Sequence, residues 1–299
     1  TVWQILLLAF LSSVVMAIDN PARQALVPDL VGKENIASAV GLNSAAWNSA
    51  AIIGPSIAGV LVAVISTSGA FFINGLSYFA VVYALWRIAP RPQLPRASQS
   101  ILQNLTSGLR FMLADRRIWG LMAVLSIPTF LGRPYMQLMP IFASNVLHRG
   151  AGGYGFLMAA TGVGALAGAV TVGRFGRSHH KGLALLIITL IFAVTLFFFA
   201  LSRWFIPSIA LLLVIGAAQT LFMAITNTLL QLNVPEEMRG RVMSVYTLIP
   251  MGLMPLGAMV MGTVGSAIGV PMTVAIGSVL VLAFAIMAFR LFPSVRTMP

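Results

Sequence analysis

Residues 227–242 read NTLLQLNVPEEMRGRV, a charged island between two apolar runs, each long enough to cross a bilayer. Its opening recurs upstream. Asn227, Gln231, Val234 and Pro235 repeat Asn20, Gln24, Val27 and Pro28 at a constant offset of 207 residues (227 − 20). In both copies an apolar span ends, a Pro-acidic turn comes next, basic residues appear and another apolar span begins. Four identities carry little weight alone in so biased a composition. Their shared position at a span end makes duplication the better reading, and it implies two related membrane bundles.

A soluble domain is about one-quarter charged. Here Asp, Glu, Lys and Arg make up 8% of the chain and the apolar set 59%, with a mean hydropathy of +0.96. The chain reads as an all-α integral membrane protein. Its 18 basic residues against 6 acidic ones raise the question of nucleic acid, which the placement of the charges answers. The absence of cysteine excludes thiol chemistry, disulfides and cysteine metal sites. Three histidines, two of them adjacent at 179 and 180, form no cluster with carboxylates, and no metal or cofactor is expected.

Nine apolar spans are predicted, at 1–18, 35–65, 69–87, 118–146, 153–173, 183–201, 205–230, 242–266 and 271–291. Alternating the connections sorts the charges. One side receives fifteen of the basic residues and all six acids; the other receives only Arg149 and Arg203, and Arg133 lies within a span. This is a positive-inside bias, which puts the first side and the C-terminus in the cytoplasm. Anionic lipid headgroups, and not nucleic acid, are the expected neighbours of that charge. Residue 1 then lies outside, with no initiating Met or basic flank ahead of it, and the expectation is an N-terminally truncated chain.

The longest polar connection, 88–117, opens with a Pro-rich basic stretch. It closes with Ile101, Leu105, Leu109 and Met112 at helical spacing among Arg110, Asp115, Arg116 and Arg117. This predicts a short amphipathic helix on the cytoplasmic face, packed on lipid or on protein. It divides three spans (1–87) from six (118–299).

Six spans after a long cytoplasmic linker and three before it resemble helices four to twelve of the major facilitator superfamily. DNPARQALVPDLV (19–31), AVGLNSA (39–45), GPSIAGVLV (54–62), GYGFLMAATGVGALAGAV (153–170) and VPEEMRGRVMSVY (234–246) resemble its exporter branch, which includes the enterobactin exporter and macrolide efflux permeases. The resemblance covers nearly the whole chain. It implies two pseudo-symmetric bundles with nine of twelve helices present, and a monomer in the inner membrane. The function it implies is secondary export of a small amphipathic molecule, a siderophore or a drug such as a macrolide, by alternating access. An importer of the same fold and a non-transport structural protein are the alternatives. An enzyme is not expected, since there is no His–Glu metal motif, nucleophile elbow or buried acid pair. The chain departs from the superfamily's drug/proton antiporters, whose fourth-helix arginine has no counterpart in 1–18.

No Asp, Glu or Lys lies inside a predicted span. Three readings of coupling stay open: a titratable group in preceding helices, which is preferred; Asp19 at a helix end; or no proton coupling. On the preferred reading this chain alone does not transport. Arg133 lies roughly 22 Å from the cytoplasmic end of its span, with Gln137 one turn later on the same face. It reads as a cavity residue for an anionic or polar substrate, or as a cation snorkelling to outer headgroups. Asn43, Trp47 and Asn48 suit an aromatic-lined cavity or interhelical hydrogen bonds, and Gln219 invites the same two readings. Pro128, Pro134 and Pro140 predict a bent helix.

Gly54, Pro55 and Gly59 resemble the antiporter signature of the fifth helix, which implies a gating role beside the simpler reading of tight packing. Glu236, Arg239 and Arg241, with Asp19 and Arg23 in the matching copy, read as clamps that form in one conformational state and break in the other. Topological anchoring is the simpler alternative.

Overall fold

A computed structural model describes residues 68–88, 101–175 and 180–298, with scattered positions before residue 68. The side chains of 101–105, 172–175, 236, 237 and 239 lie outside that description. The chain divides into two units, Thr1–Ala51 and Ile52–Pro299. In the first, the described positions are helical, and Trp3, Leu7, Leu8, Leu11 and Val15 are exposed.

Every regular element described in the second unit is a helix, as hydrocarbon requires of a chain that must satisfy its own backbone polar groups. α1 (Ser68–Trp86) is apolar and unburied along its length. The linker helix α2 (Ile101–Ala114) comes next. Its apolar positions split between two faces: Met112 is buried, while Leu109 and Leu113 are exposed. Asp115 caps the next helix, its carboxylate accepting from the backbone N–H of Arg117 at 2.8 Å. A capping acid here matches the positive end of the helix dipole.

The predicted span 118–146 is not one regular helix. It runs as α3 (Arg116–Ile127), a π-turn (Pro128–Gly132), α4 (Tyr135–Ile141) and a second π-turn (Phe142–Val146). The cause is legible in the prolines. Pro134 has no N–H to give the carbonyl of Phe130, and the ladder widens by one residue instead: the N–H of Arg133 donates to Pro128 O at 2.9 Å. His148, at φ 51°, ends the segment as Arg149 N–H closes on Ala143 O at 2.8 Å.

Five long helices complete the unit: α5 (Gly150–Phe175), α6 (Lys181–Leu201), α7 (Phe205–Asn233), α8 (Glu236–Ile268) and α9 (Val270–Leu291). A short α10 (Pro293–Arg296) ends the chain, with Val295 and Met298 buried. These helices match the last five predicted spans and outrun most of them by a few residues at the predicted cytoplasmic ends. Gly269, at φ 87°, makes the break between α8 and α9, a conformation that favours glycine.

The core is apolar and aromatic. Tyr135, Phe142 and Phe199 are fully buried, and the Phe142 and Phe199 rings lie 4.8 Å apart. Glycine sets the closest helix pair, α5 with α7. A Cβ at Gly164 would stand 1.9 Å from Leu213 O, one at Gly168 2.6 Å from Ala217 O, and one at Gly216 2.0 Å from Thr161 O. Between membrane helices, where lipid is as apolar as the partner, such backbone approach is what dispersion can reward.

Candidate functional site

Arg133, deep in its span, directly follows the first π-turn. The turn's exposed carbonyls are matched by glycines on two neighbours: a Cβ at Gly257 of α8 would lie 2.2 Å from Phe130 O, and one at Gly277 of α9 2.6 Å from Leu131 O. On a third side the Phe192 ring of α6 sits where a Cβ of Gly132 would be, at 2.6 Å. The turn is therefore wedged among three helices, and the backbone position of Arg133 is fixed by packing.

Arg133 is half-buried. With Pro128 it lines a small cavity closed by Thr189 and Phe192 of α6 and by Gln219, Phe222 and Met223 of α7. The space is ≈ 10 Å³, room for about one water. Thr189 donates its hydroxyl to Leu185 O at 2.8 Å, so toward the cavity it can offer only a lone pair. Three polar atoms are buried around this point, Arg133 Nε, Gln219 Nε2 and the Tyr135 hydroxyl; the hydroxyl faces Gln219 and Thr161, while Arg133 Nε has no hydrogen-bond partner among the described residues. Two of the three atoms are donors only. A buried donor without an acceptor costs about 1–3 kcal/mol, so Arg133 Nε is the group here that an oxygen would satisfy.

Polar groups continue along α7 and α8. Tyr135 and Tyr246 are within electrostatic reach of Arg133. The Tyr246 hydroxyl approaches Met223 Sδ at 3.7 Å, and Gln231 Nε2 donates to Asn227 Oδ1. No acid stands among them. The acids nearest in sequence to these spans are Asp115, Glu236 and Glu237, all at helix starts.

Of the sequence-predicted residues, the structure brings Arg133 and Gln219 together. Gln137 is exposed and does not line the cavity. Arg241 reaches from α8 to α2, donating to Ser107 Oγ at 3.3 Å. Glu236 and Arg239 fall in the first turn of α8 with side chains outside the described residues. Asp19 occupies a helical, half-buried position in the first unit. Asn43, Trp47, Asn48, Gly54, Pro55, Gly59 and Arg23 lie outside the described residues. Sequence reasoning missed Tyr135, Tyr246 and Thr189. Tyr135 had a signal: a tyrosine two residues beyond a span arginine, where a hydroxyl needs a partner.

A family model described as transmembrane secretion effector, of the major facilitator type, matches residues 1–297. The chain is 28% identical over 242 residues to the enterobactin exporter EntS of Shigella boydii, covering 81% of this chain and 58% of that protein. It is 30% identical over 240 residues to EntS of Shigella flexneri, covering 79% and 56%. The chain thus spans little more than half the length of these relatives. Among solved structures it resembles a bacterial homolog of the human lysosomal transporter Spinster, in an inward-facing, unoccupied conformation. The TM-score is 0.61 at 15% identity, covering 88% of this chain and 73% of that one, a likeness of fold.

Proposed function

The chain belongs to the transmembrane secretion effector family of major facilitator proteins, and on that premise we propose that the protein exports a small amphipathic molecule rich in anionic or oxygen groups. A siderophore of the kind handled by the enterobactin exporters fits this description better than a cationic drug. One observation carries the choice: Arg133, beside the polar pair Gln219 and Tyr135, holds a buried donor without an acceptor among the described residues, in predicted spans that contain no acid. An unneutralised arginine in a membrane interior is costly and marks a functional site by default. A ligand oxyanion would supply the missing counter-charge, and a cationic ligand would add to the cost.

The proposed cycle is alternating access between two bundles in the bacterial inner membrane, with the C-terminus cytoplasmic. The π-turn holds Arg133 in place while α8, kinkable at Pro250 and Pro255, moves against it. Arg241, anchored to the linker helix at Ser107, is placed to make or release a cytoplasmic contact as the bundles rock. Proton coupling, where it operates, is assigned outside the C-terminal spans, which hold no carboxylate.

Accumulation of enterobactin in inside-out membrane vesicles from cells expressing the whole gene tests the reading, with a cationic macrolide as the comparison. Arg133→Gln should lower enterobactin accumulation roughly tenfold or more, the worth of a charged hydrogen bond, and Arg133→Lys should lower it less. Equal accumulation by Arg133→Gln and the unaltered protein removes Arg133 from the substrate path. Preference for the macrolide overturns the anionic substrate. Accumulation confined to right-side-out vesicles makes the protein an importer.

A further inference from the structure

Tyr246 stands where α8 meets α7, and its hydroxyl is tied to α7 twice. It donates to Met223 Sδ at 3.7 Å, and Asn227, one turn further along α7, also faces it. Asn227 is itself held, its Oδ1 accepting from Gln231 Nε2. Gln219, Met223, Asn227 and Gln231 recur at every fourth residue and so form one ridge along α7. With Oδ1 taken by Gln231, the amide nitrogen is the end of Asn227 left for the phenol oxygen. The phenol proton is then directed at sulfur.

Met223 also lines the cavity that holds Arg133. The run of donors from Gln231 through Asn227 to Tyr246 therefore ends at the wall of that cavity, on a thioether, which is a weak acceptor. Tyr246 is half-buried and lies within electrostatic reach of Arg133. An oxygen that approaches the guanidinium comes into range of the phenol as well. Hydrogen bonds to an ionised acceptor are about twice as strong as neutral ones, so the phenol gains by exchanging sulfur for an oxyanion. Met223 does not obstruct the exchange, because its unbranched side chain repacks readily.

We propose that Tyr246 is the second recognition residue of the Arg133 site, its hydroxyl switching from Met223 Sδ to the substrate oxyanion that binds Arg133. The inference rests on the export of an oxygen-rich molecule proposed above. It adds a requirement on that molecule: one of its oxyanions takes donors from two helices, the guanidinium behind the π-turn and the phenol of α8. Occupancy of the site is thereby felt by α8, the helix that moves in the proposed cycle.

The test is the concentration dependence of enterobactin accumulation in inside-out vesicles from cells expressing the whole gene. Tyr246→Phe keeps the ring and loses the hydroxyl. It should raise the half-saturating concentration about tenfold and leave the maximal rate nearly unchanged. Met223→Leu keeps the volume and removes the competing acceptor, and should lower the half-saturating concentration about twofold. In an Arg133→Gln background the effect of Tyr246→Phe should shrink to about twofold, since both groups hold the same oxyanion. An undiminished effect in that background places the hydroxyl on another part of the substrate and overturns the inference. So does an unchanged half-saturating concentration in Tyr246→Phe, or a rise in Met223→Leu equal to that of Tyr246→Phe, which would make the pair a packing contact. In each of these cases the export reading stands. Absence of saturable accumulation by the unaltered protein overturns the export reading, and this inference with it.

Discussion

At Gly164 there is no room for a methyl group. Its virtual Cβ falls 1.9 Å from a backbone oxygen of α7, and backbone cannot swing aside as a side chain can. Gly152, on the same helix, meets nothing within 4 Å. The pair separates packing from helix propensity. Gly152→Ala should be neutral or slightly stabilising, because alanine favours helix by about 0.5–1 kcal/mol. Gly164→Ala should destabilise by roughly 1–3 kcal/mol, as overpacking does, and lower the thermal midpoint in detergent by several degrees. A midpoint for Gly164→Ala at or above that of the unaltered protein would refute the contact. The glycine-rich stretch 153–170 was readable as a packing face, whereas the partner residues Leu213 and Ala217 were not. Their side chains are ordinary for a membrane helix, and it is their backbone that is touched.

The π-turn belongs to the scale of the element. Three prolines between 128 and 140 announced a break in regularity, and the structure interrupts the helix there with a π-turn. Where the extra residue is accommodated was not legible, because it depends on which neighbours receive the displaced carbonyls. Gly257 and Gly277 receive them, more than 120 residues downstream. Gln137 shows the cost of reading the span as a regular helix. One turn from Arg133 in sequence, it is exposed, while Gln219 from another helix lines the cavity instead. Pro134→Ala returns an N–H donor four residues beyond Phe130 and so favours closing the turn to a regular α-helix. Removing one extra residue rotates the C-terminal part of the span by about 100° relative to its N-terminal part. Stability should hold or rise by about 1 kcal/mol, while transport falls several-fold as Arg133 leaves its station. Thermal midpoint and vesicle accumulation are read on the same preparation. Unchanged transport would mean that the widened turn serves packing alone.

At the scale of the whole molecule, fold class and the run of C-terminal spans were legible because hydrocarbon leaves a chain so few choices. The buried faces of the long helices were not. Lipid and protein core are equally apolar, so Phe198, exposed, and Phe199, fully buried, look alike in the sequence. Charge carries what hydropathy cannot, and topology is where it does so. Arg149 and Arg203 are the only basic residues of the loops on one predicted side; Arg290 and Arg296 close the chain on the other. The absence of cysteine makes this testable without background. Arg203→Cys and Thr297→Cys each place one thiol at an exposed position. A membrane-impermeant maleimide added to intact cells should label Arg203→Cys and leave Thr297→Cys unlabelled until the membrane is opened. The reverse pattern would invert the positive-inside assignment, and with it the side on which Arg241 meets the linker helix. Labelling of both in intact cells would mean that the α6–α7 loop and the C-terminus share a face, which an odd number of crossings between them forbids.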